Sequence, residues 1–126
     1  MSEIEALVKA YLNAFSRREF DLARNFLTDR GFSYISPIGR YHDPDHFIQN
    51  ISRVGPILER LVIRKCMSAG NEAIAIMDST LTMSGYKSYT VVMLFAVEEG
   101  RIKSIEAIYD ASDYRRLFFN EDSGPE

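Results

Sequence analysis

Apolar side chains recur at three- and four-residue steps at the start of the chain, where Ile4, Leu7, Val8, Tyr11, Leu12 and Phe15 fall on one side of a helix. Ser2 and Glu5 have the spacing of a capping box in front of it. Polar Ser16, Arg17, Arg18 and Glu19 interrupt the pattern. A second, shorter helix then carries Phe20, Ala23, Phe26 and Leu27, and Thr28 to Gly31 close it. Phe32 to Ser36 read as a short strand ended by Pro37 and Gly39. Asp43 is placed to cap a third helix with Pro44 in its first turn; Phe47, Ile48, Ile51 and Val54 form its apolar side, and Gly55-Pro56 stop it.

After Pro56 the period changes. Leu61 to Ser68, Glu72 to Met83, Tyr86 to Glu98 and Arg101 to Tyr109 are long apolar or alternating runs, separated by Gly70-Asn71, Ser84-Gly85 and Glu99-Gly100. Turns this short predict three consecutive hairpins and an antiparallel sheet. Strands of this length in a twisted sheet must bend, and a bent sheet needs its concave side filled. The three helices supply that filling, so the expected class is α+β, with a helix-covered curved sheet around one pocket. Ser112 caps an expected last helix with Tyr114, Leu117 and Phe118, and residues 120–126 form a polar, acidic, frayed tail.

The length of 126 residues suits one domain, expected over residues 1–119. Hydrophobic residues at 46% and charged residues at 26% are ordinary for a water-soluble globule. A formal charge of -3 argues against nucleic acid as a partner, because phosphate binding draws on clustered Lys and Arg. Arg17-Arg18 and Arg115-Arg116 are pairs flanked by acids and read as solvated surface. Cys66 alone excludes an intrachain disulfide, and with His42 and His46 it gives no zinc spacing. Neither metal nor cofactor is expected. No basic-then-apolar leader and no apolar run of about 20 residues is seen, so the expectation is a cytoplasmic protein without membrane contact.

Tyr11 in the first helix, the segment Tyr34-Ile35-Ser36-Pro37-Ile38-Gly39, the turn Glu98-Glu99-Gly100-Arg101-Ile102 and the ending Ile108-Tyr109-Asp110 are shared marks. In this order they resemble the nuclear-transport-factor-2-like superfamily, which includes SnoaL-like polyketide cyclases, ketosteroid isomerases, limonene epoxide hydrolase and scytalone dehydratase. The resemblance spans residues 3–119 and implies a cone-shaped, cystatin-like fold. Ketosteroid isomerases place their proton-shuttling aspartate where this chain has Ser36, and a protonated aspartate where it has Val92 or Met93. Tyr11 matches the tyrosine that supports their oxyanion donor, or else is simply core. The acid of limonene epoxide hydrolase would fall near Ala107. Asp110 resembles the acid–base aspartate of SnoaL-like cyclases; its structural alternative is to cap the turn at Ser112.

Matched to the isomerase pattern, the face of the second long strand bearing Ile74, Ile76, Asp78, Thr80 and Thr82 turns toward the pocket. A carboxylate there is expensive to bury unless it is used or paired, which makes Asp78 a catalytic candidate beside Asp110. Its alternative is an ion pair with Arg64 or an outward position one register step away. By the same parity Tyr34, Ser36, Tyr89, Val91, Met93 and Tyr109 join Tyr11 and Thr80 around the cavity, with Ile105 and Ala107 completing it. That lining suits a small hydrophobic carbonyl compound rather than a phosphate or sugar acid. Two functions follow: a cofactor-free isomerase, cyclase or dehydratase, or a non-catalytic domain binding a small molecule or peptide. The opposite sheet face, assigned Met77, Leu81, Met83, Leu94 and Ile108, is apolar, and relatives of the fold pack such faces together; a homodimer is the expectation.

Overall fold

Ser2 opens helix α1 (Glu3–Ser16), its hydroxyl accepting from the Glu5 amide at 3.1 Å. The Glu5 carboxylate does not complete a reciprocal box. It accepts from the Ser68 hydroxyl at 2.9 Å, and Ser68 in turn lies 2.7 Å from the Ser2 hydroxyl, so the helix start is tied to a strand far along the chain. The computed structural model describes residues 2–53, 58–82 and 85–112. The predicted stop at Gly55-Pro56, the positions Met83 and Ser84, the last helix from Tyr114 and the acidic tail lie outside the described residues.

Helix α2 (Phe20–Asn25) follows, then β1 (Ser33–Ser36), β2 (Gly39–Tyr41) and α3 (Pro44–Ile51). Asp43 caps α3, accepting from the Asp45 amide at 3.0 Å, with Pro44 in the first turn where no amide hydrogen is missed. Four long strands complete the described chain: β3 (Leu58–Ala69), β4 (Glu72–Thr82), β5 (Tyr86–Glu98) and β6 (Arg101–Ile108). The β5–β6 turn holds Glu99 at φ 52° and Gly100 at φ 78°.

The six strands form one curved, unclosed sheet in the order β2-β1-β6-β5-β4-β3. The three predicted hairpins are present as antiparallel pairs β3–β4, β4–β5 and β5–β6. Two features depart from the prediction. Residues 39–41, beyond the predicted strand end at Pro37 and Gly39, return as β2 beside β1, and β1 lies parallel to β6, with Tyr34 opposite Ile105. A parallel neighbour from the other end of the chain leaves no local signal, because its partner is not a hairpin neighbour.

Helix α1 lies across β3 and β4, α2 packs on α1 and α3, and α3 on β2. Val8, Tyr11 and Leu12 meet Ala73, Ala75, Met77 and Phe95, all nearly or fully buried. Alanines at 73 and 75 let the α1 backbone approach the sheet closely. That choice decides the faces of β4. Ala73, Ala75, Met77, Ser79 and Leu81 look toward the helices; Ile74, Ile76, Asp78, Thr80 and Thr82 look away. The predicted orientation of this strand is therefore reversed, and Met77 and Leu81 are core rather than outer residues.

Candidate functional site

On the helix-facing side, β5 presents Tyr89, Val91, Met93, Phe95 and Val97, register-paired through Met93–Ala107 and Phe95–Ile105 with β6. β1 adds Tyr34 at the far side of β6. Of the residues assigned to the cavity, Tyr11, Tyr34, Tyr89, Val91, Met93 and Tyr109 all join the helix-side core or pack on it. Val91 is buried, while Tyr34, Tyr89, Met93 and Tyr109 are half-buried, which leaves part of each side chain for contact.

Tyr11 anchors the group. Its ring is 1% exposed and meets Phe15 and Phe95 edge-on, with centroids 6.4 and 6.2 Å away. Burial, and then the neighbouring Tyr34, push its phenol well above the ordinary tyrosine value. The hydroxyl keeps its proton at any physiological pH, so it is equipped to donate a hydrogen bond and not to serve as a base. Tyr34 stacks on Phe47 at 4.3 Å, and Tyr41 stands 6.1 Å from Tyr34, so the β1–β2 hairpin and α3 build an aromatic wall. Tyr41 also receives the His46 ring edge-on at 5.3 Å. Phe47, Tyr41 and Ser79, which pairs across the ladder with Tyr89, were not assigned to the site from the sequence. The β1–β2 hairpin itself was the missing clue.

Asp78 and Thr80 are displaced from this group. Both lie on the side of β4 that the helices do not cover, Thr80 hydrogen-bonded to Ser88 at 3.1 Å and Asp78 paired with Arg64 at 3.4 Å. The expectation that Asp78 enters the cavity is thus corrected, and its alternative as a partner of Arg64 holds. Both side chains of the pair are nearly half exposed. Ser36 closes its own turn, its hydroxyl accepting from the Ile38 amide at 3.2 Å. Asp110 is exposed just beyond β6, where its Oδ1 accepts from the Ser112 amide at 3.0 Å and hydroxyl at 2.8 Å. Its structural reading as a capping residue is what this geometry serves.

Along the sheet positions that face the helices, from Ala73 to Leu81 on β4, Tyr89 to Val97 on β5 and Ile105 to Ala107 on β6, no carboxylate or imidazole occurs. What remains is apolar surface with hydroxyl groups. Among the described residues no three metal-ligating side chains come together, and no helix is long and apolar enough to cross a membrane. Cys66 is half-buried, facing the helix side opposite Ala75, and burial pushes its thiol up.

The uncovered side also has relief. An open depression of about 600 Å³ lies over Ile35, Met67, Ile74 and Leu94, edged by Glu72 and Glu106.

A helix-covered, open six-stranded sheet of this order is shared with many solved structures. An NTF2-like protein of unknown function from Burkholderia pseudomallei superposes with a TM-score of 0.81 at 20% identity, covering 95% of this chain and 100% of that one. The chain has the nuclear-transport-factor-2-like fold. An NTF2-like protein of unknown function from Cytophaga hutchinsonii shares the same nuclear-transport-factor-2-like arrangement, with a TM-score of 0.77 at 22% identity over 88% of this chain and 93% of that one. An epoxide hydrolase of M. tuberculosis similar to limonene epoxide hydrolase gives 0.77 at 21% identity over 88% and 85%. No protein-family model and no curated protein matches the sequence. At these identities the likeness is one of fold.

Proposed function

We propose that this protein holds a small, largely apolar ligand between its N-terminal helices and its sheet, through tyrosine hydroxyls and without proton-transfer chemistry of its own. The observation that carries this reading is the absence of any carboxylate or imidazole from the helix-facing sheet positions, with Asp78 turned to the other side. The retained Tyr11 phenol, kept protonated by its burial, suits a neutral ligand with a carbonyl or similar acceptor. Native mass spectrometry of protein purified from its source tests it. A bound small molecule, weakened by Tyr11→Phe, is the expected result; a ligand-free protein that binds no hydrophobic carbonyl compound in titration sinks the reading.

A second reading is cofactor-free isomerisation, cyclisation or dehydration of such a compound. It rests on Asp110, which directly follows the half-buried Tyr109 at the end of β6. Turnover that disappears in Asp110→Asn while ligand binding persists would favour it over simple binding.

The uncovered sheet face supports a homodimer. Met67 and Ile108 are 50% and 49% exposed, and Ile74 and Leu94 extend the same apolar band. Monomers rarely leave such a patch open, and two-fold partners most often close it. Sedimentation velocity showing a monomer at micromolar concentration would remove this proposal.

A further inference from the structure

We infer that Lys65 of each copy pairs with Glu106 of the other, and that this pair fixes which way round two stacked sheets lie. The inference rests on the proposed homodimer.

The uncovered face carries its charges unevenly. The basic groups sit on the edge strand β3: Arg60 opposite Thr80, Lys65 opposite Ile76, and Arg64 brought to the same side by the bulge between Ile63 and Lys65. Arg64 is already engaged by Asp78. The acid on the far side of the apolar band is Glu106 on β6, between Leu94 of β5 and Ile35 of β1. Among the described residues neither the Lys65 side chain nor the Glu106 side chain makes a hydrogen bond or an ion pair. Two opposite charges thus flank Ile74, Ile76, Val92 and Leu94 without partners. Covering that band with a second sheet without pairing them would leave both desolvated and uncompensated.

Strand spacing turns this into a choice between two arrangements. Adjacent strands lie about 4.8 Å apart, so β3 and β6 are separated by roughly 14 Å, with their midline between β4 and β5. Ile76 and Val92 pair across that midline, at the centre of the apolar band. Identical sheets that stack in the aligned manner have a two-fold axis either along the strands or across them. An axis across the strands lays β3 on its own copy and brings Arg60, Arg64 and Lys65 against like charges. An axis along the strands, on the β4–β5 midline, lays β3 over the other copy's β6. Ile76 then meets Val92, Lys65 comes level with Ile108, and Glu106, two residues along β6, lies within the combined span of the two long side chains at two equivalent places. Coulomb interaction disfavours the first arrangement and favours the second.

The test is a charge exchange read by sedimentation velocity. Lys65→Glu and Glu106→Lys, each alone, are expected to weaken the dimer roughly tenfold, because each creates two like-charge contacts per dimer. Mixing the two variants is expected to restore wild-type association as a heterodimer, since both contacts become attractive again. Circular dichroism on each variant confirms folding. A wild-type dimer that neither variant weakens, or variants that fail to rescue each other on mixing, overturns the pairing and leaves the dimer standing. A monomeric wild type overturns the dimer itself, and the pairing with it.

Discussion

Arg64 and Asp78 form an ion pair of 3.4 Å on the side of the sheet away from the helices, on the opposite face from Tyr89 of the adjoining strand β5. A mid-strand carboxylate that attracted a catalytic reading is thereby a surface group. Asp78→Asn is expected to change stability by about 0.5 kcal/mol or less, the range for solvent-screened pairs. Ligand binding is expected to stay as it is. Urea unfolding and a binding titration check both, and lost binding with the fold intact would return Asp78 to the site.

Tyr11 gives a pH-dependent expectation. Its native phenol holds the proton well above the ordinary value of 10.0, while the unfolded chain releases it near that value. The native state therefore binds more protons above pH 10. Stability from this group is fully present below pH 10 and declines above it, by about 1.4 kcal/mol per pH unit while the native phenol remains neutral. Tyr11→Phe keeps the ring against Phe15 and Phe95 and should flatten that alkaline decline. Urea midpoints measured from pH 8 to 11 for both proteins settle the comparison; parallel curves would contradict it.

Helix α1's register was legible from its own residues, and so were α3 and the three long hairpins, since period and turn residues act locally. The faces of β4 were not. Both sides of that strand offer apolar and hydroxyl side chains, and the larger Ile74 and Ile76 look like the better core. Packing reverses the choice, because α1 crosses close above Ala73 and Ala75. Leu94 and Ile108, by contrast, were correctly read as outer residues. The helix-side placement of Tyr11, Tyr34, Tyr89, Val91, Met93 and Tyr109 was legible because the resemblance fixed which face of the sheet they share. The aromatic wall at Tyr41 and Phe47 was not, since it depends on the short β1–β2 hairpin.

Arg24 links three segments of the helical cover. It donates to Asp45 of α3 at 2.6 Å and to Asp29 at 2.9 Å, and Arg101 from the start of β6 reaches the same Asp29 at 3.2 Å. The Arg24 guanidinium, with Arg101 beside it, holds the Asp29 carboxyl below its usual range. Arg24→Ala is expected to lower stability by about 1 kcal/mol, and Arg24→Lys to recover only part of it, because an ammonium lacks the planar fork that serves two carboxylates. Thermal and urea unfolding of the two variants provide the measurement. Full recovery by lysine would show that charge alone matters.

Gly100 isolates a backbone effect. At φ 78° it has open space where a Cβ would stand, so Gly100→Ala adds strain without a clash. A loss of about 1 kcal/mol is expected in chemical denaturation, with no change in ligand binding.

The parallel pairing of Ser33 with Ser104 spans about 70 residues of chain. During synthesis, the hairpin that carries Tyr34 and Tyr41 emerges long before the strand it must lie against. Until β6 is made, Phe32 and the hairpin have no permanent neighbour on that side, and Leu27 waits for its bridge to Ile102. Closing so long a loop late makes this a slow step in folding and a window in which the nascent chain is exposed to aggregation.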